Sequence, residues 1–559
     1  GVAIIVNGAL LHDANLNAGW QTVSVALDER APVALASRDT VIEVRAPDYR
    51  TPDAPNEAKG IKLDKVVVTQ ASEGGLILPP YAGVLMLAGT AFLLYLVAGS
   101  WLTSRVSLSR ARQYAFWAAV LLAVCVAALL TLNRVVLASA LAHSAVTIIT
   151  MLFVAWTVAW AVGKRWRVRP QIAGALGGLA AIAFGLRYFG MALPQSVIID
   201  MPWHMKWLRT LLLGDWQALY FPGGLSRVPA EWGLDLLIPK SPLFYFAVAP
   251  LGSLPVDLES AVKWVVCLLD AGLVLVAYWL ARGCGAGPRG ALFAGAMYAV
   301  MPLAFRAFAY GILPTIFAQW LSALLLVSVA GFAYRKWTVA RWLGLIALAV
   351  LALLAFPTVA VFTTLVLVWA SLGWWLTNRR DADHRRIPVR VAILLASGWL
   401  LAVVAYYGLY IDPVIASASA ILGDSEGKGS VVRWPGGPLE LVGWTANYVV
   451  SVLPWLLAIT GLALAFASKK IGIRRDARVW LVAAWLGIAP VFMIANYRVD
   501  MIGKHLFFTM LPVAAVGGLF LWQLTRRQRW GLLLSGLALI TVGWQAMVFW
   551  FERLVRASS

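Results

Sequence analysis

From about residue 80 to the C-terminus, the chain alternates between apolar runs of about 20 residues and short polar turns. An α-helix of that length spans the hydrocarbon core of a bilayer, because each residue adds about 1.5 Å. The pattern therefore predicts a polytopic α-helical membrane protein with about fourteen spans. Two of the runs meet at Phe356-Pro357 and fit either two spans or a broken helix followed by a re-entrant piece. The predicted spans lie near 80–103, 114–132, 143–163, 172–193, 258–281, 290–306, 311–333, 342–356, 358–377, 391–410, 446–467, 478–496, 503–525 and 530–548.

Residues 1–75 follow a different pattern. The segments VAIIV, TVSVALD, DTVIEVRAP and IKLDKVVVT are rich in β-branched residues and partly alternate between apolar and polar positions. Turn-forming sequences, among them NG and TPDAPN, separate these segments. The pattern predicts a small all-β domain, sandwich-like in architecture, ahead of the first span. Because the chain starts at Gly1 inside the first of these segments, we expect further residues upstream, including an anchor or an export signal.

The charge distribution predicts the orientation of the spans. Of all residues 61% are hydrophobic and only 13% are charged, yet the net charge is +20. The basic residues concentrate in turns that fall on one side of the predicted bundle, so they indicate a cytoplasmic face and not a nucleic-acid partner. The β domain and two long loops, 194–257 and 411–445, then face the extracytoplasmic side. The basic turns are 105–112, 164–169, 282–289, 335–341, 379–390, 469–478 and 526–529.

The loop 194–257 carries the candidate chemistry. Asp200 follows a predicted span by only a few residues, so its carboxylate lies near the outer membrane surface and is a candidate general base for a hydroxyl acceptor. His204 is four residues further, on the same face of a helix. The stretch from Trp203 to Leu213 predicts an amphipathic helix at the level of the lipid headgroups, and Gly214 is suited to end it. Ordinary interfacial anchoring explains the tryptophans and cations of this stretch equally well.

The loop and two later segments resemble bacterial integral membrane glycosyltransferases of the GT-C superfamily. The first segment reads D-x-P-x-H-x9-G and continues through a glycine-rich run to S-P-L-F-Y, the second is R-x3-Y-G-x2-P, and the third pairs Y-R with K-H at another outer exit. The residues that carry the resemblance are Asp200, Pro202, His204, Gly214, Trp216, Pro222, Gly223, Gly224, Ser241, Pro242, Tyr245, Arg306, Tyr310, Pro314, Tyr497, Arg498, Lys504 and His505.

The resemblance implies a site at the outer ends of the spans. It makes Asp200 and His204 the catalytic residues, with Asp200 as the base that deprotonates the acceptor. The donor implied is a sugar linked to a polyprenyl phosphate, bound by Arg306, Tyr310, Arg498, Lys504, His505 and Tyr245. Arginine suits this role because its planar guanidinium binds phosphate through two parallel hydrogen bonds. The alternative for each cation is a side chain that simply extends to the membrane interface.

The resemblance also implies how the chain is divided. Residues 172–548 correspond to the GT-C core, whereas 80–163 form an added three-helix module. No D-x-D follows Asp200, and the three cysteines lie in apolar runs or in a basic turn, so we expect neither a metal nor another cofactor. The expected location is the bacterial plasma membrane, in contact with lipids and with the polyprenyl-phosphate sugar. Protein partners would bind through the β domain or through 80–163.

Two other classes of function fit parts of the sequence. A non-catalytic scaffold subunit of a larger membrane complex would explain the β domain, the extra module and the 28 tryptophans. A transporter is the third class, but the spans reveal no convincing buried acid–base relay. The scaffold and the enzyme differ in geometry, because only a catalyst needs Asp200, Arg306 and Arg498 to converge at one place.

Overall fold

The structure is a computed structural model of the 559-residue chain. It divides into two compact units, one comprising 1–92 and 118–146 and the other 93–117 and 147–559. The residues that it describes are 2–6, 9–14, 23, 42–45, 49–51, 54–59, 88–96, 107–132, 134–192, 198–215, 219–220, 241–254, 256–378, 384–412, 415, 440, 443, 451–467, 476–498 and 506–558.

The predicted N-terminal strands form in part. β1 (Val2–Val6) pairs antiparallel with β2 (Ala9–Ala14) and with β3 (Ile42–Arg45), which gives the strand order β2-β1-β3. The predicted NG turn, residues 7–8, lies outside the described residues. A separate antiparallel hairpin joins β4 (Tyr49–Thr51) to β5 (Ala54–Lys59), so part of the TPDAPN segment is strand. The other two predicted strand segments, TVSVALD and IKLDKVVVT, lie outside the described residues apart from residue 23.

The rest of the described chain is helical, as the apolar runs predict. Ten helices are long and apolar enough to cross a membrane, and Leu243–Ser253, Val339–Ala355 and Val452–Ala467 are shorter apolar helices. The fold class, a polytopic helical membrane protein, is thereby confirmed, whereas the count of about fourteen spans stays a prediction. The main helices are α1 (Leu108–Leu132), α2 (Arg134–Trp166), α3 (Pro170–Ala192), α4 (Met201–Leu212), α5 (Leu243–Val248), α6 (Leu258–Gly283), α7 (Ala291–Ala299), α8 (Pro302–Tyr310), α9 (Leu313–Phe332), α10 (Val339–Ala355), α11 (Pro357–Asn378), α12 (Ile387–Ala405), α13 (Val452–Ala467), α14 (Ala477–Arg498), α15 (Met510–Arg527) and α16 (Gly531–Ser558). Short 3-10 helices lie at Ala249–Ser253, His384–Arg386, Tyr407–Tyr410 and Phe507–Thr509.

The predicted span 290–306 is interrupted in the structure. α7 ends at Ala299, Met301 is extended, and α8 begins at Pro302. Proline explains the break, since it has no N–H to donate to the preceding turn and disfavours helical conformation in the residue before it. The break therefore divides the predicted span into α7 and α8, and α8 ends at Tyr310.

α15 lies at the centre of the bundle, with 78% of its apolar window buried. A Cβ at Gly518 would overlap the backbone of Ala294 in α7. Small residues allow helix backbones in membranes to approach closely, and the attraction between them is then mainly van der Waals packing. α15 and α7 are thus closely packed, and α8 follows directly after α7 in the chain.

The basic turns meet at one end of the helices. The Arg478 side chain packs against Gly283, Arg390 donates a hydrogen bond to the carbonyl of Arg335 at 3.5 Å, and Trp374 donates to the carbonyl of Ala477 at 2.8 Å. We call this the basic end, defined by turns 164–169, 282–289, 335–341 and 476–478. The opposite end, which contains Asp200, is the Asp200 end. Which end faces the cytoplasm stays a prediction.

Candidate functional site

α4 forms as the sequence predicts. Pro202 lies in its first turn, where a missing N–H costs nothing, and Gly214 ends it with φ +84°. The amide of Gly214 donates to the carbonyl of Leu211 at 3.0 Å and that of Asp215 to Thr210 at 3.2 Å. These two bonds make a Schellman motif, which requires a left-handed residue at the position of Gly214. The predicted role of this glycine is confirmed.

The buried face of α4 packs on aromatic side chains, while Lys206 and Arg209 are exposed on the other face. His204 is only 1% exposed, and its Nδ1 lies 2.8 Å from the hydroxyl of Tyr245. The ring of Trp207 packs against Tyr245, with 5.6 Å between the ring centroids. The sequence predicts that His204 shares a face with Asp200. In the structure the imidazole is buried against Tyr245. The shared face with Asp200 stays a prediction.

A second buried tyrosine adjoins this cluster. Tyr220 packs edge-on against Trp207 at 5.8 Å, and its carbonyl accepts a hydrogen bond from the hydroxyl of Tyr410. Burial, with the neighbouring Tyr410, raises the pKa of the Tyr220 hydroxyl above its usual range. Tyr220 therefore stays neutral near pH 7 and acts as a packing surface. The cluster fixes α4 firmly relative to α5.

Asp200 immediately precedes α4 and rests against the end of α8. Its amide donates a hydrogen bond to the carbonyl of Tyr310 at 3.0 Å. Gly311, which follows Tyr310, has φ +74°, and a Cβ there would lie 2.6 Å from Cγ2 of Ile198. Only glycine satisfies both the left-handed conformation and this close approach. The Asp200 side chain is partly exposed and does not cap α4, so its carboxylate is not used to hold the helix.

Arg306 lies one turn before Tyr310 on α8. Its guanidinium carbon is 5.5 Å from the ring centroid of Tyr310 and 5.9 Å from that of Phe549 in α16. Stacking on rings uses the flat face of a guanidinium, whereas hydrogen bonds use its edge, so one arginine can do both. Arg306 is about half-buried. The backbone of Asp200 and the guanidinium of Arg306 thus both contact Tyr310, at the corner between α4 and α8.

A second charged cluster, which the sequence motifs did not indicate, is buried next to the break between α7 and α8. Arg187 of α3 forms an ion pair with Asp270 of α6, and both side chains are fully buried. Tyr298 donates its hydroxyl proton to the same carboxylate at 2.7 Å. The guanidinium also donates to the carbonyls of Tyr298 and Ala299, each at 3.1 Å. The signal in the sequence was an arginine and an acid within two apolar runs, since such residues in membranes are nearly always paired.

This buried cluster provides hydrogen bonds to backbone carbonyls at the helix break. Pro302 has no N–H to offer the Tyr298 carbonyl, which accepts a hydrogen bond from the amide of Met301 at 3.3 Å. Arg187 supplies further donors to the buried carbonyls at the end of α7, which a membrane-spanning segment must satisfy within the protein. Its guanidinium also lies 5.6 Å from the ring of Phe305 and 6.0 Å from that of Phe308, on α8. The pair thereby connects α3, α6, α7 and α8.

Several predicted site residues fall outside what the structure describes. α14 ends at Arg498, whose side chain is not described, and Lys504 and His505 lie outside the described residues, as do Trp216, the run 222–224 and most of the loop 411–445. The convergence of Arg498 with Asp200 and Arg306 therefore stays a prediction. Within the described part of the chain, no three His, Cys, Asp or Glu side chains come close enough to hold a metal ion. That the chain needs neither a metal nor another cofactor stays a prediction.

Comparison with known proteins gives matches of fold only. No family model and no curated protein matches the sequence. Among solved structures, the archaeal oligosaccharyltransferase AglB from Archaeoglobus fulgidus, in complex with an inhibitory peptide and a dolichol-phosphate, is 13% identical with a TM-score of 0.43; the match covers 71% of this chain and 56% of that one. ArnT from Cupriavidus metallidurans, bound to undecaprenyl phosphate, is 14% identical with a TM-score of 0.35, covering 60% of this chain and 63% of that one.

Likeness of this degree transfers no activity, substrate or residue to this chain, which spans little more than half of the oligosaccharyltransferase. The chain is a polytopic helical membrane protein, and the resemblance of its segments around Asp200 and Arg306 to GT-C glycosyltransferases rests on the sequence motifs.

Proposed function

We propose that the chain is a membrane glycosyltransferase that moves a sugar from a polyprenyl-phosphate donor to a hydroxyl acceptor on the extracytoplasmic face. The observation that carries the proposal is the contact between the start of α4 and the end of α8. The backbone amide of Asp200 donates to the carbonyl of Tyr310, and Gly311 approaches Ile198 closely. These contacts support the proposal because the turn that carries Asp200 then adjoins the helix that bears Arg306.

The arrangement provides the two charges that the reaction needs. The acceptor oxygen forms a bond to C1 of the sugar while its proton passes to Asp200. The bond between C1 and the phosphate oxygen breaks, and its electron pair leaves with the polyprenyl phosphate. Arg306 stabilises the negative charge that develops on the departing phosphate. Arg498, Lys504 and His505 remain predicted contributors to the same phosphate site.

His204 and Tyr245 take a supporting role in this proposal. Their hydrogen bond lies in the interior, so His204 orients α4 and with it the backbone of Asp200, whose carbonyl accepts the His204 amide at 3.0 Å. A residue that is 1% exposed has little access to a substrate hydroxyl. We therefore assign His204 to positioning and Asp200 to proton transfer.

Asp200→Asn tests the proposal, with Asp215→Asn as the matched control because Asp215 is an exposed carboxylate at the other end of the same helix. The purified chain is offered a panel of undecaprenyl-phosphate-linked sugars and hydroxyl acceptors, and the release of undecaprenyl phosphate is measured. We expect Asp200→Asn to lower turnover at least about 100-fold, the usual contribution of a general base, and Asp215→Asn to leave it unchanged.

Normal turnover by Asp200→Asn would remove Asp200 from the mechanism. If the wild-type chain consumed no donor of the panel, the scaffold function would replace the enzyme. Size-exclusion profiles of both variants show whether they fold, so that loss of activity is not confused with loss of structure.

A further inference from the structure

A cavity of about 780 Å³ lies at the basic end, on the far side of the bundle from Asp200. α9 starts at Leu313, two residues after Gly311, and its last residue, Phe332, lines the cavity. A helix of 20 residues is about 30 Å long, so the cavity and the candidate site are separated by about the thickness of the hydrocarbon core. The cavity is therefore a separate feature.

The walls of the cavity are apolar and belong to membrane-spanning helices. Leu275 and Val276 come from α6, and Leu324 and Val327 come from α9. Because these residues lie within apolar spans, this part of the cavity is at the depth of lipid chains. A Cβ at Gly331 would touch only Trp279, at 3.9 Å, so the wall stays open at that point. Such walls suit an alkyl chain better than a polar metabolite.

The rim of the cavity carries positive charge. Arg165, at the end of α2, and Arg335, after α9, both line it and are exposed. In the part of the chain that the structure describes, no carboxylate forms an ion pair with either of them. We refer to these two residues as the rim arginines.

A third arginine of the cavity is already neutralised. Arg478 binds Asp476 through two hydrogen bonds of 2.9 and 2.6 Å, and its guanidinium lies 4.9 Å from the ring centroid of Trp279. The charge available to a ligand is therefore that of the rim arginines, about two positive charges. Trp166 and Tyr334, also in the lining, are the residue types that favour the headgroup level of a bilayer.

We propose that this cavity binds one anionic phospholipid of the adjacent leaflet, with its phosphate at the rim arginines and an acyl chain along α6 and α9. Apolar walls between spans beneath a basic rim are the combination that recognises such lipids. A net negative headgroup complements the two charges, whereas a zwitterionic headgroup brings its own cation to the rim. The proposal is independent of the proposed function at the Asp200 end.

The test uses the full chain, purified and delipidated in mild detergent, with phosphatidylglycerol and phosphatidylcholine as probes. Native mass spectrometry counts the lipids retained, and the apparent melting temperature reports stabilisation. We expect phosphatidylglycerol to bind at least about 10-fold more tightly than phosphatidylcholine, and the double variant Arg165→Gln/Arg335→Gln to lose about that factor. The matched control is Arg527→Gln/Arg529→Gln, which removes two exposed arginines of other turns and should bind as the wild type does.

A second variant separates the cavity from its rim. Gly331→Phe should fill the apolar part while the rim arginines remain, and we expect it to lose the phosphatidylglycerol adduct too. Retention of the adduct by Gly331→Phe, equal binding of the two lipids, or an equal loss in the control would each overturn the proposal. Competition by millimolar inorganic phosphate would show a simple anion site instead. Each variant's melting temperature without lipid identifies any that fails to fold.

Discussion

Arg187 and Arg306 both contact α8, but their surroundings are opposite. Arg187 is fully buried, forms an ion pair with Asp270, and donates to two backbone carbonyls at the end of α7. Arg306 is about half-buried and lies over the rings of Tyr310 and Phe549, beside the turn that carries Asp200. The guanidinium of Arg187 contacts only groups of the fold among the contacts described above. The other lies where an anionic ligand could reach it.

The contrast teaches how burial divides the roles of like residues. A buried charge must be compensated by the protein, so the guanidinium of Arg187 is paired with Asp270 and with backbone carbonyls. A charge at the edge needs less compensation and can exchange water for a ligand. Substitutions that distinguish the two regions should therefore affect stability in one case and ligand binding in the other.

Arg187→Met should have the largest effect. It leaves the Asp270 carboxylate buried without its cation, which typically costs about 3–5 kcal/mol. We expect a sharp fall in the apparent melting temperature in detergent and in the monodisperse yield. The double variant Arg187→Met/Asp270→Leu should recover part of this loss, because it removes both charges. It should remain less stable than the wild type, since the Tyr298 and Ala299 carbonyls still lack their donor.

If the double variant were no more stable than Arg187→Met, the ion pair would not be the main reason for the destabilisation. Arg187 would then stabilise the fold mainly through its hydrogen bonds at the helix break, and not through its charge.

Gly311→Ala should have the next largest effect. The residue would adopt φ +74° at a cost of about 1–2 kcal/mol, and its Cβ would press on Ile198. The apparent melting temperature should fall by several degrees. The rate of sugar transfer should also fall, because the turn that carries Asp200 would move away from α8. Gly272→Ala is the matched control, because a Cβ there meets nothing within 4 Å in the middle of α6. It should be neutral or slightly stabilising; equal behaviour of the two variants would mean that the α4–α8 contact does not depend on Gly311.

Tyr245→Phe should cost about 1–2 kcal/mol, the value of a buried hydrogen bond whose partner, His204, is left behind. The positioning role of His204 predicts that the maximal rate falls only in proportion to the fraction folded. A loss of rate as large as that of Asp200→Asn, in a variant that melts normally, would make His204 a catalytic residue.

Arg306→Gln should have the smallest effect on stability, under about 1 kcal/mol, because a partly exposed cation–π contact contributes little. Its binding of undecaprenyl phosphate should nevertheless fall about 10-fold or more, as expected for the loss of a charge-assisted contact to phosphate. Arg209→Gln, which removes an exposed cation from α4, is the control and should retain binding. A reversed outcome, with large destabilisation and normal binding, would put Arg306 in the same class as Arg187.

Much of the helical fold was predictable because the apolar runs in the sequence have the length of a membrane span. The run predicted at 258–281 is α6, Leu258–Gly283, and the amphipathic stretch that ends at Gly214 is α4. Local signals sufficed there, since apolar length, a proline in the first turn and a glycine after the last turn all act within a few residues.

The tertiary features could not be read in the same way. Arg187 and Asp270 are 83 positions apart, and their pairing depends on how α3 and α6 pack and not on any local pattern. The burial of His204 against Tyr245 depends on how α4 packs on α5, which the spacing of His204 from Asp200 does not indicate. The close approach of Gly311 to Ile198 likewise joins two segments that are 113 positions apart in the sequence.

The central claim is that the corner between α4 and α8 binds the phosphate of a polyprenyl donor. An experimental structure of the full chain in a lipid nanodisc with undecaprenyl phosphate tests it most directly. The account predicts phosphate density within hydrogen-bonding distance of Arg306, beside Asp200, with the polyprenyl tail leaving between spans. Phosphate density elsewhere in the chain, with the corner occupied only by water, would contradict the claim.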